Sequence, residues 1–232
     1  MAHRYSISSS QDQLEQRFGA DPTSRYKPRF NAAPTQLLPI ITNISPQGLS
    51  FFYWGIDPQL SKNKTISQKL YNTEAETITQ KASFRNAFRS RRCLVPADGY
   101  YAWKTISRKG KIPYRIHFKD DRLFSIAGLW EEYENPQGEL SHSFTIITTP
   151  SNKLMGDIQE RMPVIFGPEE EKVWLSFQTP EEELLKLLSP ANLPDLHYYP
   201  VSPLVNSLNQ DSPKVLTPTQ PADQFGNYTL FD

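Results

Sequence analysis

The sequence predicts a single β-rich α+β domain. At 232 residues the chain is long enough to bury a sizeable core and short enough to be one domain. Its 20 prolines against 10 glycines punctuate it into short segments joined by rigid turns rather than long helices. Apolar runs of strand length recur along it, while helix-start signals are confined to a few places.

Residues 1–7 read as a short strand. Ser9 and Ser10, followed by Gln11, Asp12, Gln13, Leu14 and Glu15, read as a capped helix start leading to Phe18. Residues 22–31 read as a loop carrying Arg25, Lys27 and Arg29, with strands following at Leu37–Thr42 and 49–54. The polar stretch 58–65 (Ser61, Lys62, Asn63 and Lys64 within it) reads as an exposed loop. The segment 74–88 ends as a helix, with Ala82, Phe84, Ala87 and Phe88 along one side. Four β segments are expected at 93–96, 114–118, 124–129 and 144–148, with Asp120 and Asp121 as a hairpin turn between the second and third. The clearest helices lie within 168–188. Pro168 with Glu169, Glu170 and Glu171 opens one; Thr179 as cap, Pro180 at the first helical position and Glu181 to Glu183 open another. The tail from Gln210 is proline-rich and polar and is expected to pack loosely. There is no internal repeat.

Charge balances at 25 basic and 25 acidic residues, so nucleic acid binding would need a local patch rather than a global field. Arg85, Arg89, Arg91 and Arg92 form the densest basic cluster, readable as such a patch or as a solvated helix face. The one cysteine, Cys93, excludes an intramolecular disulfide and sits in a buried-strand context; a reducing, cytoplasmic setting is expected. No apolar run approaches the ~20 residues that span a bilayer, and no signal-peptide pattern opens the chain. His3, His117, His142 and His197 are dispersed, so no metal site is expected. Ser6, Ser8, Ser9 and Ser10 form no nucleophile elbow, and there is no phosphate-cradling glycine loop, so no cofactor is expected either.

Several motifs occur in a fixed order: Arg29, Phe30, Asn31, Ala32, Ala33, Pro34 and Thr35; Phe52, Tyr53, Trp54, Gly55 through Pro58; Asn72 with Glu76 and Thr77; Phe84 and Arg85 through the run Arg91 to Trp103; Phe144 to Pro150; Ile158 to Pro163; and Tyr199 to Ser202 with Val205 and Asn206. In this order they resemble the SRAP (SOS-response-associated peptidase) family of abasic-site DNA–protein crosslinkers. The resemblance runs over residues 1–216 as one domain and leaves 217–232 as a C-terminal tail. It implies a mixed and antiparallel, barrel-like sheet core with a few peripheral helices.

The resemblance also implies a site. In the family Met1 is removed and residue 2 is a cysteine, whose α-amine and thiol together capture the aldehyde of an abasic site in single-stranded DNA as a stable ring. An amine alone gives a reversible imine; a neighbouring thiol traps it at high effective molarity. A glutamate, a histidine and an asparagine complete that site. Here those positions hold Ala2, Ala102, Gln159 and Asn72, so only the asparagine remains. The implied DNA-lining residues are Arg4, Asn31, Pro34, Trp54, Trp103, Thr148 and Arg161. Glu74 stands where the family has an arginine, and Leu60 where it has a second loop tryptophan. Two explanations stay open, substitutions introduced at Ala2, Ala102 and Gln159 to inactivate the protein or a naturally diverged sequence, and the spread of changes to Glu74 and Leu60 favours the second.

The expectation is therefore a DNA-damage-response protein related to abasic-site crosslinkers, itself unable to form the stable crosslink, a pseudoenzyme. The alternative is a non-enzymatic binding or scaffold module that reuses the cleft for another ligand. The peptidase (hydrolase) activity proposed for the family finds no nucleophile–base pair here. Plainer roles stand beside the sharp ones: Trp54 and Trp103 as core residues, Arg4 and Arg161 as partners of Asp98 or Glu76, and His3 as a surface histidine rather than a proton shuttle.

Overall fold

A computed structural model describes residues 3–21, 25–55, 71–108, 110–134, 138–190 and 193–228. In chain order the strands are β1 (Tyr5–Ile7), β2 (Arg29–Ala32), β3 (Leu37–Thr42), β4 (Ser45–Trp54), β5 (Asn72–Glu74), β6 (Arg92–Ala97), β7 (Gly99–Thr105), β8 (Lys111–Phe118), β9 (Phe124–Glu134), β10 (Leu140–Pro150), β11 (Arg161–Pro163), β12 (Ile165–Phe166) and β13 (Leu196–Pro200). The helices are α1 (Gln11–Phe18), α2 (Ala82–Ser90), α3 (Pro168–Leu175) and α4 (Glu181–Leu187). The expected α+β architecture is the observed one. The polar stretch 58–65, Leu60 with it, lies outside the described residues.

Strands β10, β4, β3, β6 and β9 pair in a closed ring, parallel between β10 and β4 and antiparallel elsewhere. Closure leaves these five strands without a free edge. β5 and β11 add to β10, and β12 to β9. A second, antiparallel sheet runs β13-β8-β7-β1-β2. Its inward residues Tyr5, Ile7, Tyr100, Ala102, Ile112, Tyr114 and Ile116 share one core with Leu38, Ile40, Cys93, Val95, Ile126 and Phe144 of the barrel.

The helices cover another side of the barrel. Phe84, Phe88, Trp174 and Leu184 pack on Ile41, Leu94, Ala127 and Leu129. Strand β6 is buried on both faces, with Cys93 and Val95 turned to one core and Leu94 to the other. That is why 93–96 reads as a continuous apolar run instead of an alternating one.

Four expectations are corrected. Asp120 and Asp121 do form a turn, with Asp121 at φ 53°, but no hairpin: β8 pairs with β7 and β13, while β9 pairs with barrel strands, so the turn carries the chain between sheets. Thr179 does not cap α4; its hydroxyl donates back to the Val173 carbonyl at 2.7 Å, and Pro180 takes the cap position. Residues 29–31, expected at the end of a loop, belong instead to edge strand β2. The tail from Gln210 is docked: the Asp211 carboxylate accepts from the Phe30 and Asn31 amides at 2.7 and 2.9 Å, and Val215 is fully buried. The tail thereby covers the edge of β2, which would otherwise present unpaired backbone groups.

The basic cluster is structural. Arg92 is buried and donates to the carbonyls of Trp174 (2.6 Å), Phe88 (2.9 Å), Arg89 (2.6 Å) and Ser176 (2.7 Å), tying the C-terminal ends of α2 and α3 to the barrel. Carbonyls at helix ends suit a cation. Arg91 pairs with Glu131 and Arg89 with Glu181. Replacing Arg92 with alanine strands these carbonyls without donors. The expected loss is on the order of 3 kcal/mol, read from urea unfolding as a lower midpoint at unchanged slope.

Candidate functional site

Strand β1 lies between β2 and β7, and one carboxylate fixes it there. Asp98 immediately precedes β7. It accepts from the Ser6 hydroxyl at 2.6 Å, the Ser8 amide, the Ser8 hydroxyl at 2.9 Å and the Ser9 amide at 3.1 Å. Arg115 of β8 donates to its carboxylate at 3.2 Å and to its carbonyl at 3.0 Å. The Arg115 guanidinium passes over Gly99, where a Cβ would meet its Nε at 2.8 Å, so glycine is required there.

This clamp presents the residues just before β1 to a cleft of about 610 Å³, walled by His3, Trp103, Thr105 and Lys111, by Glu74 of β5, and by 156–161. A second concavity of about 540 Å³ shares His3, Trp103 and Lys111 and adds Arg4, Asn206 and Gln224. On β7 and β8, Thr105 lies opposite Lys111 and Trp103 opposite Pro113. Directly opposed residues share a face, so Trp103, Thr105 and Lys111 project together. Trp103 is half-buried and held by a 2.8 Å bond from Nε1 to Asn206 Oδ1.

The two concavities differ in charge. The larger carries Glu74, Asp157 and Glu160 against Lys111 and Arg161, whereas the smaller has Arg4 and Lys111 and no acid. His3 stands between them, its Nδ1 3.0 Å from the Tyr71 hydroxyl and its ring edge-on to Trp103. Although His3 keeps an exposed surface, partial loss of water around the ring, followed by positive charge from the amino terminus, Arg4 and Lys111, pushes it down to about 4. It is therefore neutral at physiological pH.

Of the three reactive positions among the described residues, Gln159 alone lines the cleft, its Nε2 sheltered in the wall with no hydrogen-bond partner among those residues. Asn72 opens β5 beside Ile146. Ala102 points the other way: it alternates with Trp103 and is fully buried in the core with Tyr5 and Trp54. Ala2 lies outside the described residues.

Among the expected DNA-lining residues, Trp54 is corrected. It is fully buried, edge-on to Tyr5 and Tyr71, stacked on Phe144, with Nε1 on the Tyr71 carbonyl at 2.8 Å, so no base can reach it. Asn31 and Thr148 are also buried and act as supports. Asn31 Nδ2 donates to the carbonyls of Val205, Ser207 and Gln210, and its Oδ1 accepts from Arg4 at 3.0 Å. Thr148 accepts from Arg161 at both Oγ1 and its carbonyl. Pro34 sits half-buried in the turn after β2. Arg4, Trp103 and Arg161 do line the concavities. Lys111, Thr105, Asp157 and Glu160 are wall residues that sequence reasoning missed; only the register of β7 on β8 places the first two.

A family model described as SOS response associated peptidase (SRAP) matches residues 1–208. The chain belongs to the SRAP family. An "Abasic site processing protein YoqW" of Bacillus subtilis (strain 168) is 41% identical over 221 residues, 93% of this chain and 99% of the relative. An "Abasic site processing protein HMCES" of Xenopus tropicalis is 30% identical over 227 residues, 84% of this chain and 67% of the relative. A crystal structure of a Bacteroides thetaiotaomicron protein superposes with a TM-score of 0.82 at 28% identity, covering 94% of this chain and 99% of that one.

In this SRAP chain Arg161 is already engaged. Its fork meets Glu76 at 3.0 and 2.8 Å, and these hydrogen bonds hold the Glu76 carboxyl below its ordinary range. The folded value is depressed, so the pair persists at neutral pH and dissolves only as pH falls through that lowered value. Glu76→Gln removes the competing carboxylate. We expect tighter binding of single-stranded DNA at neutral pH and a salt slope steeper by about 0.7, measured by fluorescence anisotropy across a salt series.

Proposed function

We propose that this chain recognises abasic sites in single-stranded DNA at the basic side of the cleft and does so without forming a permanent crosslink. The observation that carries the reading is the joint placement of Trp103, Arg4 and Lys111 on one concavity free of acids. A half-exposed indole is a platform for a base, and two flanking cations suit the phosphates around it. The abasic-site processing named for the relatives supports the same assignment.

The chemistry of residue 2 supports the second half. Alanine offers no thiol to close a ring on an imine, so any adduct made by an amine hydrolyses. Cys93 does not replace it: the thiol is buried in the barrel and burial pushes its pKa well up, which keeps it protonated and inert. The same two facts leave a peptidase mechanism without a thiol nucleophile. Gln159 stands where a proton carrier would otherwise be, and an amide cannot shuttle a proton at neutral pH. A cytoplasmic setting belongs to this reading; no helix among the described residues is long and apolar enough to cross a membrane.

The acids of the larger concavity favour a second reading, a binding module whose ligand is not a nucleic acid. Anisotropy separates the two. The first reading expects an abasic oligonucleotide to bind with Kd below ~10⁻⁶ M at low salt, with a slope near −1.4 for two phosphate contacts (about −0.7 each). Trp103→Ala should weaken this by ~5- to 100-fold, the range of one lost base stack. No heat-stable shifted band should appear on a denaturing gel. Absence of binding would favour the second reading.

A further inference from the structure

Resting on that reading, we propose that the C-terminal turn at 222–228 is a second base platform, on which Phe225 and Tyr228 stack a nucleobase flanking the abasic site. The turn lies beyond residue 208, where the family match ends. The tail reaches it along the ends of β13 and β8. Pro218 bridges Val201, the Thr219 amide donates to the Pro200 carbonyl at 3.0 Å, and Gln224 Oε1 accepts from the Lys111 amide at 2.7 Å. β13 stops at Pro200, opposite Tyr114, so the edge of β8 at Lys111 is left for the tail to cover. Gln224 thereby joins Arg4, Trp103 and Lys111 on the basic concavity. Phe225 is the next residue, which puts the turn at the rim of the surface assigned above to the phosphates.

The turn is closed by its own bonds. Asp223 Oδ1 accepts from the Phe225 and Asn227 amides, both at 2.9 Å, and Oδ2 from Asn227 Nδ2 at 3.1 Å. The Asp223 amide donates to the Asn227 carbonyl at 2.9 Å, Gly226 supplies a φ of 84°, and Ala222 bridges Tyr228. These bonds, that of the Asn227 side chain first, hold the Asp223 carboxyl below its ordinary value, so the turn is intact at neutral pH. Yet its rings stay in water. Phe225 is 69% exposed and Tyr228 71%, the most exposed large apolar side chains among the described residues. Covering the β8 edge needs Gln224, not two bare rings, and rings left in water add no burial to folding. What a fixed ring gains is a low ordering cost when a flat ligand arrives.

The chemistry of the place selects that ligand. Cations bordered by exposed aromatic rings suit a single strand, with phosphates on the cations and base faces on the rings. An abasic site sharpens the match. The missing base leaves its neighbour with one bare face, and an aromatic ring covers that face without reading sequence. Lys111 lies two residues along β8 from Pro113, the partner of Trp103, about 7 Å of strand. One short oligonucleotide can therefore reach both Trp103 and the turn.

The test is anisotropy of the full chain with an abasic oligonucleotide across a salt series. The double variant Phe225→Ala with Tyr228→Ala should weaken binding at least ~5-fold. Its salt slope should stay at the wild-type value, because no phosphate contact is lost. Phe225→Trp should match or exceed the wild type, whereas Phe225→Leu, apolar but without a flat π-face, should not. Both side chains are exposed, so the urea midpoint should not move in any of these variants. Oligonucleotides with 5-iodouracil on one or the other side of the abasic site, irradiated in complex, should crosslink from one side to the peptide holding Phe225 and Tyr228. Wild-type affinity in the double variant, or crosslinks from both sides confined to other peptides, overturns the platform while abasic-site binding stands. A wild-type chain that dimerises with concentration, beside a monomeric double variant that binds DNA equally well, gives the rings to a second copy and also overturns it. If abasic DNA does not bind the wild type at all, the functional reading fails, and this proposal with it.

Discussion

The Asp98 carboxylate is the constraint on which the candidate site depends. It collects donors from Ser6, Ser8 and Ser9 of the first strand and its exit, and from Arg115 of β8, at a position that is itself buried. β1 is only three residues long and has little ladder of its own to hold it. Its place between β2 and β7 therefore rests on Asp98 from one side and on Tyr5 and Ile7 in the core from the other. Breaking a buried pair such as Asp98–Arg115 by removing one member costs on the order of 3–5 kcal/mol, because the other charge is left without compensation. The position of His3 and Arg4, and with it the shape of the cleft, follows from that clamp.

A second consequence follows from where the charges fall. The acids Glu74, Asp157 and Glu160 gather on one side of His3, and Arg4 and Lys111 bear on the other. Arg161, which might have balanced the acidic side, is neutralised by Glu76. A polyanion is thus attracted to one half of the groove and repelled from the other, although the chain as a whole is neutral. His3 owes its neutrality to the same arrangement, since crowding by Tyr71 and Trp103 and nearby cations both disfavour a proton.

Much of the fold was legible in the sequence. Leu37–Thr42 appears with the bounds its apolar run indicates, and the serine cap before α1 is present with Gln13 closing a capping box. Short strands were lost where their apolar residues are few: β2, β5 and β11 are recruited by the strands they pair with, β1 and β10, not by periodicity. The hairpin at Asp120 failed because a turn signal does not say which sheet receives the next strand. The site was harder to read. Motif positions such as Asn31, Thr148 and Trp54 are tied to the site by support, and one-residue alternation on β7 sends Ala102 inward while Trp103 faces out. Arg92, readable as part of a basic patch, is spoken for by helix carbonyls. Lys111 carries no local mark at all, since its importance lies in which strand it faces.

We propose that abasic single-stranded DNA lies on the half of the groove lined by His3, Arg4, Trp103, Lys111 and Asn206. Hydrogen–deuterium exchange with and without an abasic oligonucleotide tests it directly, because the clamp, the helical side and the groove fall in different peptides. New protection is expected in peptides covering His3, Arg4, Trp103, Lys111 and Asn206, with α2, α3 and α4 unchanged. Protection confined to the helical side, or none at saturating DNA, would contradict it.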